Sequence, residues 1–217
     1  AEQGKSFDFG MEKAFLKKGI RFDITYFNHK YEDMIEGQKR TNWLPQKVSG
    51  TVRSQAIELF SQYKFSNILN FDLNYTYNST YDGADFDDPD MGDGSNGLFT
   101  NSQLVRVPRH WINLSTKISP VKDFDITLQT KWSDEMRDYE NVNSTVPGDQ
   151  RLKSFLVNDL KADYKVTNGY KVFFKIDNIF DEVYNTALEY NQMDRSFNFG
   201  IKRSYLWENW IIKTGFK

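Results

Sequence analysis

The chain has 217 residues, of which 16% are aromatic and none is cysteine. The aromatic content excludes a disordered chain, and the lack of cysteine excludes disulfides and thiolate zinc sites. A mean hydropathy of −0.67, with no apolar run of about 18 residues, excludes a membrane-spanning helix, and a net charge of −2 argues against nucleic acid as a partner.

Most of the chain alternates apolar and polar residues with a period of two, the pattern of a strand whose two faces meet different surroundings. Residues 69–77 show it most clearly, because Leu, Phe and Tyr alternate there with Asn, Asp and Thr. The pattern predicts nine strands, in chain order near residues 5–16, 20–35, 50–64, 68–81, 104–119, 124–139, 153–166, 170–185 and 195–205.

The connections between these strands alternate in length. The short ones have turn chemistry and fall at residues 17–19, 65–67, 120–123 and 167–169. The long ones fall near residues 36–49, 82–103, 140–152 and 186–194. Strands of ten or more residues with tight turns at one end and long loops at the other are typical of a transmembrane β-barrel. A soluble barrel or sandwich is the alternative, but its strands usually run to about five or six residues.

The polar side of the alternation is too highly charged to be buried dry without partners, so it predicts a wet lumen and leaves the apolar side to lipid. A sheet in hydrocarbon has to close, and bacterial barrels have even strand numbers. Nine strands therefore predict the C-terminal portion of a larger all-β antiparallel barrel. The predicted lumenal set includes Asp72, Asn74, Gln129, Lys131, Asp159, Lys161, Asp163 and Lys165.

Several segments carry motifs of one known family. Residues 104–110 (LVRVPRH) match its L-x-R-x-P-R-H pattern, and residues 176–184 (IDNIFDEVY) resemble its N-L-F-D-x-x-Y pattern. Residues 195–205 (RSFNFGIKRSY) resemble its last strand, and residues 52–59 (VRSQAIEL) a G-x-E strand in which Ala56 replaces the usual Gly. As a set, these segments resemble the C-terminal half of a TonB-dependent outer-membrane receptor.

The resemblance implies that the predicted strands are the last nine of a 22-stranded barrel, with extracellular long loops and periplasmic tight turns. It also implies a receptor for energy-dependent uptake in the outer membrane of a Gram-negative bacterium. Its partners would be outer-membrane lipid, the barrel-assembly machinery, and the TonB complex through an N-terminal region absent from this sequence. A ferric siderophore is the first expected ligand, with cobalamin and then haem as alternatives. A passive porin-type barrel and a non-functional truncated fragment are the competing hypotheses, and no cofactor is predicted.

The barrel portion is assigned to residues 1–205, and residues 206–217 form an atypical tail. The family usually ends at the aromatic residue that Tyr205 matches. The tail is either an extra amphipathic segment or read-through from a truncated or rearranged gene, and the second is the favoured interpretation.

The predicted loop after residue 81 is acidic. Oxygen-rich clusters suit calcium, but Pro89 or Gly92 falls where a helix–loop–helix calcium site needs a ligand. A solvated extracellular loop is therefore predicted, without a metal. Because binding groups concentrate on loops, this loop is expected to capture ligand together with those near 140–152 and 186–194. Its acidic residues are Asp82, Asp85, Asp87, Asp88, Asp90 and Asp93.

Arg106, Arg109 and His110 follow the acidic loop and would lie at the barrel mouth. Such cations could attract an anionic ferric chelate through their field, although anchoring at the membrane interface and pairing with the neighbouring Asp residues is the favoured alternative. The candidate ligand-binding set is Asp85, Asp87, Asp88, Asp90, Arg106, Arg109, His110 and Arg137. No catalytic residue is assigned, because the sequence shows no nucleophile, base and orienting group at a legible spacing.

Two aromatic residues lie near the end of the strand predicted over residues 170–185. Phe180 and Tyr184 are expected to belong to the aromatic girdle at the membrane interface. Asn178 and Asp181 are expected to close hydrogen bonds at the strand end.

Overall fold

A computed structural model describes the backbone of most of the chain. The residues outside it are 1, 16, 18, 34, 38–44, 48, 86–103, 105, 139–149, 168, 189, 208–209 and 216–217. Only the backbone is described for residues 35–37, 45–47, 49–50, 82–85, 150, 204–207 and 210–215. No helix in the described part of the chain is long and apolar enough to cross a membrane.

The described residues form β-strands joined by turns and longer connections. In chain order they are β1 (Gln3–Phe15), β2 (Ile20–Glu32), β3 (Ile35–Gly37), β4 (Pro45–Lys47), β5 (Ser49–Lys64), β6 (Leu69–Asp85), β7 (His110–Val121), β8 (Phe124–Ser133), β9 (Met136–Asp138), β10 (Gln150–Leu152), β11 (Phe155–Thr167), β12 (Tyr170–Asp177), β13 (Asn185–Ala187), β14 (Tyr190–Asn191), β15 (Ser196–Trp207) and β16 (Trp210–Gly215). One ten-stranded antiparallel sheet has the order β1-β2-β5-β6-β7-β8-β11-β12-β15-β16. The pairs β3/β4, β9/β10 and β13/β14 form small separate ladders.

The sequence alternation becomes two continuous faces because the strands pair in register. Asn113 lies opposite both Asn74 and Lys131, and these residues belong to what we call the polar face. Ile112 lies opposite both Tyr75 and Trp132, on what we call the apolar face. Large hydrophobic side chains on the apolar face are exposed: Phe9 is 66% exposed, Phe199 is 86% exposed and Ile201 is 59% exposed. An exposed apolar face of this size suits hydrocarbon rather than water.

The two ends of the sheet differ in their connections. Strands β1 and β2, β5 and β6, β7 and β8, and β11 and β12 are joined by two to four residues each at what we call the turn end. Gly19, Asp123 and Gly169 adopt positive φ angles of 63°, 64° and 93° in three of these turns, the left-handed conformation that tight hairpins need. The long connections lie at the opposite end, which we call the loop end.

All nine predicted strands form, but several end earlier or start later than the pattern predicts. Strand β7 begins at His110 rather than near residue 104, because Arg106 has a φ of 58° and Pro108 lacks a backbone donor. Strand β12 stops at Asp177 rather than near residue 185, because Asn178 adopts a φ of 52°.

The C-terminal tail adds a tenth strand to the sheet. Strand β16 pairs antiparallel with β15, with Tyr205 opposite Ile212. Strands β1 and β16 are the two edges, and they do not pair with each other within the described residues, so the sheet is open. The division of the chain at residue 205 and the read-through origin of the tail remain predictions.

Candidate ligand-binding site at the loop end

A small buried cluster lies at the loop end of the polar face. Phe155 and Val157 enter it from β11, while Met136 and Leu152 enter it from the β9/β10 hairpin. Tyr184, in the connection between β12 and β15, places its ring 4.5 Å from that of Phe155. Because Phe155 belongs to the polar face by register, the hairpin and the connection both fold inward across this face. Trp111 and Leu188 pack against the same cluster.

The Asp138 carboxylate joins three connections at this point. Its side chain is fully buried, and Oδ1 accepts a hydrogen bond of 2.6 Å from Nε of Arg106. Its Oδ2 accepts a hydrogen bond of 2.5 Å from the backbone N–H of Leu188. The backbone N–H of Arg106 also donates to the carbonyl of Arg137 at 2.7 Å. We call Arg106, Asp138 and Leu188 the Asp138 clasp, since they tie the connections β6–β7, β8–β11 and β12–β15 together.

Asn178 fixes the start of the β12–β15 connection. Its side chain accepts from the backbone N–H of Glu182 and donates to the carbonyl of the same residue, both at 2.9 Å. Its own N–H donates to the carboxylate of Asp159. Asp181 accepts a hydrogen bond of 2.8 Å from the backbone of Arg195. The prediction that Asn178 and Asp181 close hydrogen bonds at the strand end is therefore confirmed.

The assignment of Tyr184 to the aromatic girdle is wrong. The predicted strand over residues 170–185 would place Tyr184 on the apolar face, with the even-numbered residues Tyr170 and Phe174. The strand ends at Asp177, so the alternation is broken and Tyr184 turns inward onto Phe155. Phe180 remains exposed, at 73%.

The polar face below the clasp is lined with ion pairs. Lys131 contacts Asp159 at 3.0 Å across neighbouring strands. Further pairs join Lys117 to Asp125 at 2.9 Å, Lys161 to Asp163 at 2.5 Å, and Lys175 to Asp177. The lysines keep 31–46% of their side-chain surface exposed, so each pair adds little to stability. The face is hydrophilic and close to charge-balanced, which suits a water-filled bore.

The candidate cations do not form one cluster. Arg106 and the buried Arg137 come together at the clasp. His110 lies instead on the apolar face, where its Nδ1 is 2.8 Å from the Tyr75 hydroxyl and its ring packs 5.2 Å from that of Tyr77. The role of His110 as an anchor at the membrane interface stays a prediction. Arg109 is exposed, and its carbonyl accepts from the backbone N–H of Asn78.

The acidic candidates lie mostly beyond the part of the chain that the structure describes. Asp85 is the last residue of β6, with its backbone opposite Ser49. Asp87, Asp88 and Asp90 fall outside the described residues. Within the described residues, no group of three or more His, Asp or Glu side chains could hold a metal ion. Asp138 was not among the candidates, because nothing in the sequence distinguishes it from an exposed carboxylate at a strand end.

An antiparallel sheet with an exposed apolar face, a charged opposite face, tight turns at one end and inward-folded connections at the other forms the wall of a transmembrane β-barrel. The sequence matches the family model described as TonB dependent receptor-like, beta-barrel, over residues 1–179. The chain therefore belongs to this family, as its motifs predicted. No curated protein matches the sequence significantly.

Solved structures of two receptors and an iron transporter share the fold. The ferric-catecholate import receptor Fiu from Escherichia coli K12 superimposes with a TM-score of 0.68 at 15% identity, over 91% of this chain and 27% of its own. The siderophore receptor PiuA from Acinetobacter baumannii gives 0.67 at 17% identity, over 90% of this chain and 26% of its own. The FrpB iron transporter from Neisseria meningitidis gives 0.68 at 14% identity, over 92% and 31%. The chain thus spans about a quarter to a third of these proteins, and the similarity extends to the fold alone.

Proposed function

We propose that the protein carrying this chain is a receptor in the outer membrane of a Gram-negative bacterium that imports a ferric siderophore. The supporting observation is the inward fold of the loop-end connections over a charged, wet face, with the clasp holding them in place. A polar chelate needs such a lining, because each donor and acceptor that it loses from water has to be replaced. Two of the similar structures are a ferric-catecholate import receptor and a siderophore receptor, which supports the same class of cargo.

In this proposal the loop end faces the exterior and meets the ligand first. Arg109 is exposed there and supplies positive charge for an anionic chelate. Arg106 keeps exposed surface beside it, while its charge is paired with Asp138. Arg137 lies behind them at the clasp, while His110 anchors the rim among tyrosines. The acidic segment begins at Asp85, the last residue of β6, continues with Asp87, Asp88 and Asp90, and would border the entrance.

Transport rather than catalysis is the proposed activity. The TonB complex would supply the energy through a segment outside this chain, and the barrel-assembly machinery would insert the protein into the lipid. The polar face would then line the route that the ligand follows. Neither step requires a nucleophile or a bound cofactor from this chain.

Uptake of radioactive iron tests the proposal. The gene is deleted in the bacterium that carries it and then restored from a plasmid, with and without a functional TonB. Catecholate, hydroxamate and hydroxycarboxylate iron chelates, haem and cobalamin are supplied in turn. We expect uptake of one iron chelate to require both the gene and TonB. If the gene were required only for uptake of haem or cobalamin, the proposed cargo would be wrong. If it were required for uptake of none of these compounds, the proposed receptor function would be wrong.

A charge variant tests the proposed entrance. Arg109→Gln is expected to raise the chelate concentration for half-maximal uptake about two- to fivefold, because an exposed charge contact contributes about 0.5–1 kcal/mol. Lys64→Gln is the matched control, since it removes one positive charge at the turn end of the sheet. Equal effects of the two variants would contradict a role for Arg109 in ligand capture.

A further inference from the structure

Three cations lie side by side on the apolar face at its loop end. The register places Lys5 opposite Lys30, and Lys30 opposite Arg53, on the adjacent strands β1, β2 and β5. We call these three residues the cationic row. The same face continues toward the turn end with Phe7, Asn28 and Gln55, and then with Phe9, Tyr26 and Ile57.

The cationic row places like charges at close range. Neighbouring strands lie about 4.8 Å apart, and like charges directly opposite each other destabilise a sheet. Lys30 forms an ion pair with Glu32 two residues along the same strand. Lys5 and Arg53 are exposed and form no ion pair with another described residue. Among the described residues, the row's one ion pair is that of Lys30 with Glu32, which leaves the charges of Lys5 and Arg53 available to an anion.

The surroundings of the row determine which anion fits. Phe7 and Phe9 on the same strand as Lys5 are 62% and 66% exposed. An apolar band therefore begins directly beneath Lys5 and spans all three strands from the row of Phe9, Tyr26 and Ile57 onward. A free anion gains nothing from this band, whereas the acyl chains of a lipid cover it. Cations on the lipid-facing side of a barrel are costly at the membrane midplane and inexpensive at its interface, which places the row at the height of the headgroups.

We propose that the cationic row binds the phosphate of an anionic lipid at the membrane interface of the loop end. The Arg53 guanidinium can donate two parallel hydrogen bonds to phosphate oxygens, and the Lys5 ammonium adds a point charge from two strands away. The phosphate relieves the repulsion along the row, while the acyl chains cover Phe7 and Phe9. The inference rests on the membrane location proposed above, but not on the identity of the transported ligand.

Lipid retention tests this site. The protein produced from its complete gene is purified in mild detergent and titrated with phosphatidylglycerol or phosphatidylcholine, and bound lipid is counted by native mass spectrometry. The double variant Lys5→Gln/Arg53→Gln is expected to lose roughly 25-fold in preference for the anionic lipid, because each basic residue near an anionic surface contributes about 1 kcal/mol, or about fivefold. Lys64→Gln removes a charge from the polar face of β5 and is expected to behave as the unmodified protein.

Each result of this titration decides the proposal. An unchanged lipid preference in the double variant, with folding verified by circular dichroism, would overturn it. Displacement of the lipid by millimolar inorganic phosphate would assign the row to free anions and would also overturn it. Iron uptake by the double variant is measured in parallel. Normal uptake with lost lipid binding supports the site, whereas failed uptake in the unmodified protein with intact lipid binding rejects only the proposed cargo.

Discussion

Replacing Asp138 by alanine is expected to release three loop-end connections together. The carboxylate is fully buried and holds Arg106 from one connection and the backbone of Leu188 from another. Its own backbone belongs to β9, in the third. The rest of the sheet does not depend on this group, so the variant should keep its β-structure while its loop end opens.

The structure sets the size of this effect. A backbone N–H left without an acceptor costs about 1–3 kcal/mol, and the N–H of the half-buried Leu188 would lose its acceptor. The lost charge-assisted bond adds about 1 kcal/mol rather than more, because the Arg106 side chain is 47% exposed and water can replace the carboxylate. The free energy of local opening should therefore fall by about 2–4 kcal/mol, or about 30- to 1,000-fold in the opening equilibrium. Asp138→Asn keeps one acceptor, so the free energy of local opening should fall by about half as much.

Hydrogen exchange followed by mass spectrometry measures this opening directly. Peptides that contain Leu188 and Arg106 should both exchange faster in Asp138→Ala, while peptides from β5 and β6 stay protected. Asp125→Ala is the matched control, because this carboxylate lies on the polar face at the turn end and pairs with Ser119 and Lys117. Unchanged exchange around Leu188, or faster exchange confined to one connection, would refute the clasp.

Two packing predictions can be measured by urea unfolding and limited proteolysis. Gly200→Ala should destabilise the sheet by about 1–3 kcal/mol, because an added Cβ would come within 2.8 Å of the Phe173 ring. Adding Phe173→Leu should remove most of that loss, and an equal loss in both backgrounds would disprove the contact. Tyr184→Ala should cost about 2–3 kcal/mol and speed cleavage of the β12–β15 connection, since its ring packs on Phe155. Tyr184→Phe should resist protease almost as the unmodified protein does, and equal cleavage of both variants would show that ring packing is not what holds the connection.

The sheet could be predicted from the sequence because a period-two pattern assigns every residue to a face. Strands β5 and β6 follow this pattern over nearly their whole length, and their register joins the polar residues of one to those of the other. The pattern cannot show where pairing stops. Arg106 and Asn178 adopt positive φ angles that end the alternation, and neither residue type requires that conformation.

The site was harder to predict because it depends on connections rather than strands. The sequence predicts that His110 lies on the apolar face, because it alternates in step with Ile112 and Leu114, which lie on the apolar face of β7. The partner of Arg106 could not be predicted from the sequence. Asp138 lies 32 residues further along the chain, and only the inward fold of β9 brings the two side chains together.

Ion pairs have different consequences on the polar face and at the Asp138 clasp. Lys131 and Asp159 retain 42% and 11% of their side-chain surface, so the wall pair stays in contact with water and adds at most about 1 kcal/mol. Asp138 is fully buried, and breaking a buried pair by removing one partner costs about 3–5 kcal/mol where both charges are desolvated. This cost is lower at the clasp because Arg106 is half-exposed, yet the clasp still contributes more to stability than any single ion pair of the polar face. The Asp138 carboxylate therefore joins three connections at one point, whereas the hydrophilic lining is shared among several ion pairs, each of which contributes little to stability.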